Sequence, residues 1–425
     1  MNNETNQITF AHLADIHLGS FREKKLKHLN SQQFIKTIDT IIQKKYDFTL
    51  IVGDIFNVPL PPLETVELVI HQMNRLKEKD IPIFVIGGSH DYSLTHKSFI
   101  DILDSAGVWV NVGKWQSKDN KTIELLPTTI EIKNLIINLY GVLGKKNGLD
   151  SKMYEKTKST ISNNKNECNI FMFHTTITEL LPHKLVKIDQ KNQFSYPSNM
   201  LPKGFNYYAG GHIHHPTIQN IHNDAYISYP GPIFPNSFSE LKDQFSGFNE
   251  CKISIHNDST FTFQKPTYIP INLNPIHQLI VDCNELTTDQ INEKLICQIN
   301  AINQKELSNS IILFELFGEF QGDLKNIQVI EPIEKLYEHN VYIVLKNTTR
   351  LYSKQKKIHS KKTSFSSIQE LHKKVVDSRK PSKPEIALKL LETNVEKHED
   401  ETIHHYETRV YDIISKTLQN NYKNI

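Results

Sequence analysis

The chain has 425 residues, 38% hydrophobic and 23% charged, enough to bury at least two cores, since single cores usually stop growing near about 250–300 residues. This composition excludes collagen-like, coiled-coil rod and mucin-like chains. The polar start MNNETNQITF, and the lack of any apolar run near the roughly 18 residues of a membrane span, predict neither a secretory signal nor a transmembrane helix. Cys168, Cys251, Cys283 and Cys297 are scattered without a CxxC pair, against a zinc ribbon, a thioredoxin-like motif or a disulfide framework. A soluble intracellular protein with no membrane partner is expected. The formal net charge of +2 does not by itself announce a nucleic-acid binder. Residues 351–383, however, hold ten basic side chains against two acidic ones, a local charge of +8 that leaves the rest of the chain acidic. Only five of the basic residues in the chain are Arg, so phosphate contacts would be mostly Lys point charges. A solvated charged linker explains this run equally well.

From residue 8 to about residue 100 short continuous apolar runs alternate with helical periodicity, the mark of successive βαβ units. Residues 8–14 read as a buried strand, and Phe34, Ile38, Ile41 and Ile42 then recur at helical spacing. Residues 48–52 form a second strand, 63–79 a helix with Val66, Val69, Ile70 and Met73 on one face, and 81–86 a third strand. A helix near 98–104 and strands near 134–140, 169–173, 207–209 and 226–229 complete an α/β layer structure, expected to be a sheet sandwich flanked by helices. After Pro266 strands near 278–281, 311–317 and 341–345 with a helix near 289–302 predict a small α+β domain. Residues 354–364 read as a flexible connector rich in Lys, Ser and Thr. Two terminal helices follow: Ser367 and Glu370 have capping-box spacing, Pro381 and Pro384 separate the helices, and the second carries Ile386, Leu390, Leu391 and Val395, then Ile403, Tyr406, Val410, Ile413 and Leu418.

Five segments put metal-ligand residue types just after a predicted strand, where open α/β sheets hold their ligands. They are Asp15-Ile16-His17, Gly53-Asp54, Gly88-Ser89-His90-Asp91, His174 and Gly211-His212-Ile213-His214. Carboxylate and imidazole together suit Mn²⁺, Fe²⁺ or Zn²⁺, whereas an all-oxygen cage would suit Mg²⁺ or Ca²⁺. The set is larger than one ion can use, so two ions sharing a bridging carboxylate, with Asp54 the candidate bridge, is the economical reading. Each segment alone is more often a strand-end turn or polar surface, and the glycines could be turn glycines. Their joint occurrence, in order, each closing an apolar run, is what discriminates. His96, His183 and His215 lack that context and read as surface.

These segments resemble the signature of the calcineurin-like metallophosphoesterases, which runs D-x-H, G-D, G-N-H-D/E, H, G-H-x-H. The match looks closest to double-strand-break repair nucleases of the SbcD or meiotic-recombination-eleven type, carried by LADIHLG (13–19), GDIF (53–56), GSHD (88–91), FMFHT (171–175), GGHIHHP (210–216) and YPG (229–231). By motif it covers residues 8 to about 239, and beyond that it rests on domain order. The resemblance implies residues 1–265 as a nuclease domain with a metallophosphoesterase β-sandwich, 266–350 as an α+β capping domain, 351–365 as a basic linker and 366–425 as a helical segment docking on a coiled-coil ATPase of the Rad-fifty type. It implies one metal held by Asp15, His17, Asp54 and His214, and a second by Asp54, His174, His212 and the residue at Ser89, with His90 a catalytic imidazole outside both sets. Two Mn²⁺ per subunit are implied, with Mg²⁺, Fe²⁺ or Zn²⁺ as substitutes. Also implied are 3′ to 5′ exonuclease action on duplex ends, single-strand endonuclease action, a homodimer paired through the helices near 63–79 and 98–104, and a cytoplasmic, DNA-associated location.

Two departures stand out: Ser89 where the family usually has Asn, a shorter and poorer neutral oxygen ligand, and Asn57 where the wider superfamily often has an acidic residue or His that could support His90. A phosphoprotein, nucleotide or cyclic nucleotide phosphoesterase would use the same ligands, and a DNA-end scaffold with a weakened metal site is the alternative from another class. The second domain, the basic connector and the terminal helices favour the nuclease over a small-substrate phosphatase.

Overall fold

The strand Gln7–Leu13 sends Ile8, Phe10 and His12 to one face and Ala11 and Leu13 to the other, the two-residue period of an extended chain. Both faces are buried, so its sequence is a near-continuous apolar run, as parallel strands covered on two sides require. In a computed structural model of the chain the described residues are 6–92, 97–117, 122–145, 151–157, 161, 166–181, 195–221, 225–258, 260–271, 274–354, 368–379, 383–391 and 403–422. They divide into two compact units, one of residues 1–320 with 324–351, the other of 321–323 with 352–425.

The first unit is an α/β sandwich. Gln7–Leu13, Phe48–Val52, Ile83–Ile86 and Val110–Asn111 lie side by side and parallel, and the nine-residue strand Gly247–Ile255 runs antiparallel along the outer side of Gln7–Leu13. In the second sheet Tyr226–Tyr229, Tyr207–Gly211, Glu167–His174 and Leu135–Val142 are parallel, with Thr217–Asn220 and Thr128–Ile132 antiparallel at its edges. Phe10, Phe48, Leu50 and Phe84 of the first sheet share a core with Ile137, Leu139, Ile170, Met172 and Tyr207 of the second. Each such side chain stabilises the fold by about 1.5–3 kcal/mol through its removal from water. The helices Lys24–Lys44 and Leu63–Lys77 cover the outer face of the first sheet with Phe34, Ile38, Val69 and Met73. The face formed by Val66, Val69, Ile70 and Met73 is thus core packing within the chain, while Leu63 stays 81% exposed.

A third sheet, in which the strands Ile276–Asp282, Ile311–Phe320 and Ile343–Asn347 run parallel, follows within the span expected to be α+β. One face packs on the helices Thr288–Ala301 and Ile330–Glu338; on the other, Ile311, Leu313 and Ile343 pack on Leu26, Leu29, Phe234 and Leu241. The second unit contains the helices Ile368–Arg379, Pro384–Leu391 and Ile403–Tyr422, each packed on the next. The helices Pro384–Leu391 and Ile403–Tyr422 both fall within the second expected terminal segment, and residues 392–402 between them, Val395 included, lie outside the described residues. The connector expected at 354–364, apart from Lys354, lies outside the described residues, as do Ser367 and Pro381.

The expected strands at 48–52 and 226–229 match the structure to the residue, and the other early elements shift by one to three residues. The strand expected from 81 begins at Ile83, since Asp80 takes a positive φ and Pro82 follows. Gly247–Ile255 was not anticipated: Asn249 and Glu250 interrupt its apolar pattern, and both are buried by partners distant in sequence.

Between the sheets lies a fully buried polar chain. The Tyr207 hydroxyl is 2.7 Å from His12 Nδ1 and 2.5 Å from Ser228 Oγ, and Asn249 donates to Ser228 Oγ at 3.0 Å. Burial pushes the His12 pKa down to about 3, so its ring is neutral. Tyr207→Phe keeps the ring but removes the hydroxyl that links His12 to Ser228. Unfolding free energy should fall by about 1–3 kcal/mol, the cost of stranding buried polar groups. A denaturant titration followed by Trp109 and Trp115 fluorescence reads this, and an unshifted midpoint would deny the network a structural role.

Candidate metal centre

Parallel strands leave their C-terminal ends on one edge of each sheet, and the loops that follow five of them carry the chemistry. Asp15 and His17 follow Gln7–Leu13, Asp54 follows Phe48–Val52, Ser89 and His90 follow Ile83–Ile86, His174 ends Glu167–His174, and His212 and His214 follow Tyr207–Gly211. The first two loops ladder together: Asp15 N donates to Gly53 O at 3.1 Å, His17 N to Asp54 O at 2.8 Å and Leu18 N to Ile55 O at 3.0 Å. Asp15, His17, Asp54 and His212 all have positive φ, which turns each side chain inward at a conformational cost. Two glycines are required by close approach. A Cβ on Gly53, at φ +81°, would lie 2.2 Å from His174 Nδ1, and one on Gly88 would lie 2.3 Å from Asp54 Oδ1.

The donors converge in three overlapping groups, Asp15–His17–His214, His17–Asp54–His90 and Asp54–His174–His212, each with ligand atoms within 4.8 Å of one another. Asp54 Oδ2 is 3.6 Å from His17 Nε2 and 3.1 Å from His174 Nε2, so one carboxylate adjoins both ends of the cluster. Asp15 Oδ1 lies 3.8 Å from His214 Nε2 and 4.0 Å from His174 Nε2. The Ser89 hydroxyl stands 3.4 Å from Asp54 Oδ2, on the shared carboxylate.

Hydrogen bonds decide which imidazole nitrogen is free. A carbonyl oxygen can only accept, so His174 Nδ1–H donates to Val52 O at 2.9 Å and His90 Nδ1–H donates to Asn57 O at 2.8 Å. His214 Nδ1–H donates to the Glu240 carboxylate at 3.0 Å. Each of these rings therefore presents Nε2 as its lone pair when neutral, the arrangement of a metal-ligating histidine with an outer hydrogen-bond partner. His17 Nδ1 is buried and makes no hydrogen bond, and His174 Nε2 is buried against the Asp54 carboxylate.

Among the described residues Asp15 and Asp54 are buried carboxylates paired with imidazoles and with no Lys or Arg. Burial holds Asp15 above the usual carboxylate range. Burial also opposes a charged Asp54, but His174 and then His17 outweigh it and hold Asp54 below that range. The same pair raises His174, where the Asp54 carboxylate overcomes desolvation. Burial opposes a charged His214 too, yet its bond to Glu240 and the nearby Asp15 bring its pKa up to about 8. His17, dominated by burial, falls to about 3. Protons on His174 and His214 thus stand where cationic charge is needed, and the donor set fits divalent metal ions.

All eight residues singled out in the five segments, Asp15, His17, Asp54, Ser89, His90, His174, His212 and His214, lie in or directly beside this cluster. Sequence reasoning missed three supports. The Asp91 carboxylate accepts from Ile55 N, Phe56 N and Gly88 N at 3.2, 2.9 and 2.9 Å, stapling two loops. Its place in GSHD was visible, its role was not. Asn57 supports His90 through its main-chain carbonyl, so the side-chain identity doubted there does not matter. Glu240, three residues after Ser237, has capping-box spacing, a signal for a helix start that says nothing of an imidazole. His215, expected at the surface, is half-buried against Phe245 with rings 4.8 Å apart. His96 and His183 lie outside the described residues.

Residues 8–216 match the family model for calcineurin-like phosphoesterases. The DNA double-strand break repair protein Mre11 of Methanococcus maripaludis is 26% identical over 88% of this chain and 97% of its own length. Mre11 of Sulfurisphaera tokodaii is 28% identical over 77% and 80%, and that of Sulfolobus acidocaldarius 25% identical over 85% and 88%. The matched span holds every donor of the cluster, so residues 8–216 form a calcineurin-like phosphoesterase domain and the chain is a metal-dependent phosphoesterase.

Proposed function

We propose that this chain is a DNA double-strand break repair nuclease, hydrolysing phosphodiesters with two Mn²⁺ ions per subunit. The observation that carries the reading is the Asp54 carboxylate adjoining both ends of the donor cluster. The relatives named Mre11, aligned over most of the chain, support DNA as the substrate. On this reading Asp15, His17, Asp54 and His214 hold one ion, and Asp54, His174, His212 and Ser89 the other. When bound, the ions neutralise the phosphate and lower the pKa of the attacking water. His174 and His214, with Nδ1 committed to Val52 O and Glu240, offer Nε2 in fixed directions. His90, with Nδ1–H fixed on Asn57 O, carries an Nε2 proton only as imidazolium, and in that state it donates to the departing oxygen or to the phosphate.

Residues 1–265 would then be the nuclease domain, 266–350 a cap, 351–365 a basic linker and 366–425 the element that docks on a Rad-fifty-type coiled-coil ATPase. A homodimer through the helices Leu63–Lys77 and Phe99–Ser105 would use exposed Leu63 and Ile102, because Val66, Val69 and Met73 are occupied in the core. Duplex ends degraded 3′ to 5′ and single strands cut internally are the expected activities. Among the described residues no helix is long and apolar enough to cross a membrane.

End-labelled duplex and hairpin DNA with Mn²⁺, Mg²⁺ or chelator tests the reading, and hydrolysis of plain phosphomonoesters with none of DNA would overturn it. Asp54→Ala should abolish cleavage and remove both ions, since it serves both sets. His90→Ala should keep two ions by metal analysis while losing most activity, and loss of an ion there would make His90 a ligand.

Metal loading should depend on pH in a defined direction. The His214 proton must leave before Nε2 can bind a cation, so Mn²⁺ affinity should fall as pH drops below about 8, and the raised His174 adds to the same trend. Calorimetry of Mn²⁺ binding in buffers of different ionisation enthalpy should register proton release at pH 7. Affinity unchanged between pH 6 and 8.5 would remove His214 from the donor set. Deleting residues 366–425 should leave metal binding and single-strand cleavage nearly intact while abolishing co-purification with the ATPase; continued binding, or unfolding of the nuclease, would reject the docking role.

A further inference from the structure

The helix Phe238–Asp243 has only six residues, too few to be stable alone, so its position is set by what it touches. On one side Glu240 meets the metal centre: Oε2 accepts from His214 Nδ1 at 3.0 Å. The carboxylate is itself fixed, accepting from Asn236 N at 2.9 Å and from the Ser237 hydroxyl at 3.1 Å, while Ser237 Oγ caps the helix through Glu240 N at 3.2 Å. On the other side the next two residues meet the third sheet. Leu241 is fully buried with Ile311, Leu313 and Ile343. Lys242 pairs with Glu315 of the strand Ile311–Phe320, and its carbonyl accepts from Gln278 Nε2 at 3.2 Å. Glu315 is 2% exposed and is held in turn by Arg350 at 2.6 Å and Asn347 at 3.4 Å. A buried carboxylate with two cationic partners and an amide is a rigid anchor, because leaving it unpaired would be costly.

We propose that the third sheet sets the orientation of the His214 imidazole through this helix, with Glu240 and the Lys242–Glu315 pair acting as positioning residues for the metal centre. The inference rests on the metal-binding reading of the Asp15–His17–His214 group. Consecutive residues of one helical turn link sheet to imidazole, so a displacement of the strand Ile311–Phe320 against the sandwich is passed to Glu240 without an intervening flexible joint. The expected consequence is local: the ion on the His214 side weakens and the ion on the His174 side does not.

Mn²⁺ titration of the metal-free full-length chain, with free Mn²⁺ read by its electron paramagnetic resonance signal, tests this. Glu240→Gln should weaken one of two sites by about 10-fold or more, the usual cost of losing an outer partner of a ligating histidine. Lys242→Met, which keeps the aliphatic stem, should weaken the same site by about 3- to 10-fold, and Lys242→Arg should restore it. In ¹⁵N spectra of the histidine rings, Lys242→Met should move the His214 signals and leave those of His174 in place. If Lys242→Met binds two ions as tightly as the parent, or if it weakens both sites equally, the positioning role is wrong. A parent chain that binds no Mn²⁺ would instead overturn the metal-binding reading itself. Thermal midpoints measured on each variant separate a shifted site from a lost fold, and a Lys242→Met chain that unfolds is replaced by Glu315→Gln, for which the same single-site weakening is expected and unchanged affinity would reject the role.

Discussion

Two buried carboxylates without a Lys or Arg partner among the described residues are the constraint around which the first unit is organised. Asp15 and Asp54 are buried in the loops at the strand ends, where isolated negative charge is expensive, and the groups around them are imidazoles. Imidazole can be a proton carrier or a neutral ligand, so this pairing leaves room for a cation to replace a proton. A lysine or arginine at the same place would have satisfied the charge permanently and closed the site. The opposed displacements of Asp54 and His174 express that tension, each stabilising the charged form of the other.

Holding such a cluster together costs conformational energy. Four of its residues occupy the left-handed region, at about 1–3 kcal/mol each. The cost is offset by the shared core beneath the loops and by groups whose only task is to tie loops to one another. Asp91 is the clearest case, since its carboxylate collects three main-chain amides from two loops and contributes nothing to the donor set. The glycines at 53 and 88 have the complementary task of letting Asp54 and His174 approach main chain more closely than any side chain would permit.

Much of this was legible in the chain. Strand ends can be read from apolar runs, and the donors sit immediately after them, so the order Asp15-x-His17, Asp54, Ser89-His90, His174, His212-x-His214 already marked residues that the structure brings into one cluster. What escaped was whatever depends on partners distant in sequence. The strand Gly247–Ile255 carries Asn249 and Glu250, which look like surface until Ser228, Tyr46 and Lys44 are brought to them.

The outer partners of the histidines show why one part of the site can be tuned and the rest cannot. His174 and His90 are oriented by the carbonyls of Val52 and Asn57, main-chain atoms fixed by the parallel sheet and its loop. No substitution of those two residues removes the acceptor, so the side chain at Asn57 has no part in orienting His90. His214 alone among the three depends on a side chain, and that side chain sits on a short helix whose opposite face belongs to the third sheet. Main-chain acceptors make the His174 side of the cluster as rigid as the sandwich itself, whereas the His214 side inherits the position of a separate sheet. The two ends of one cluster, joined through Asp54, therefore differ in what can move them.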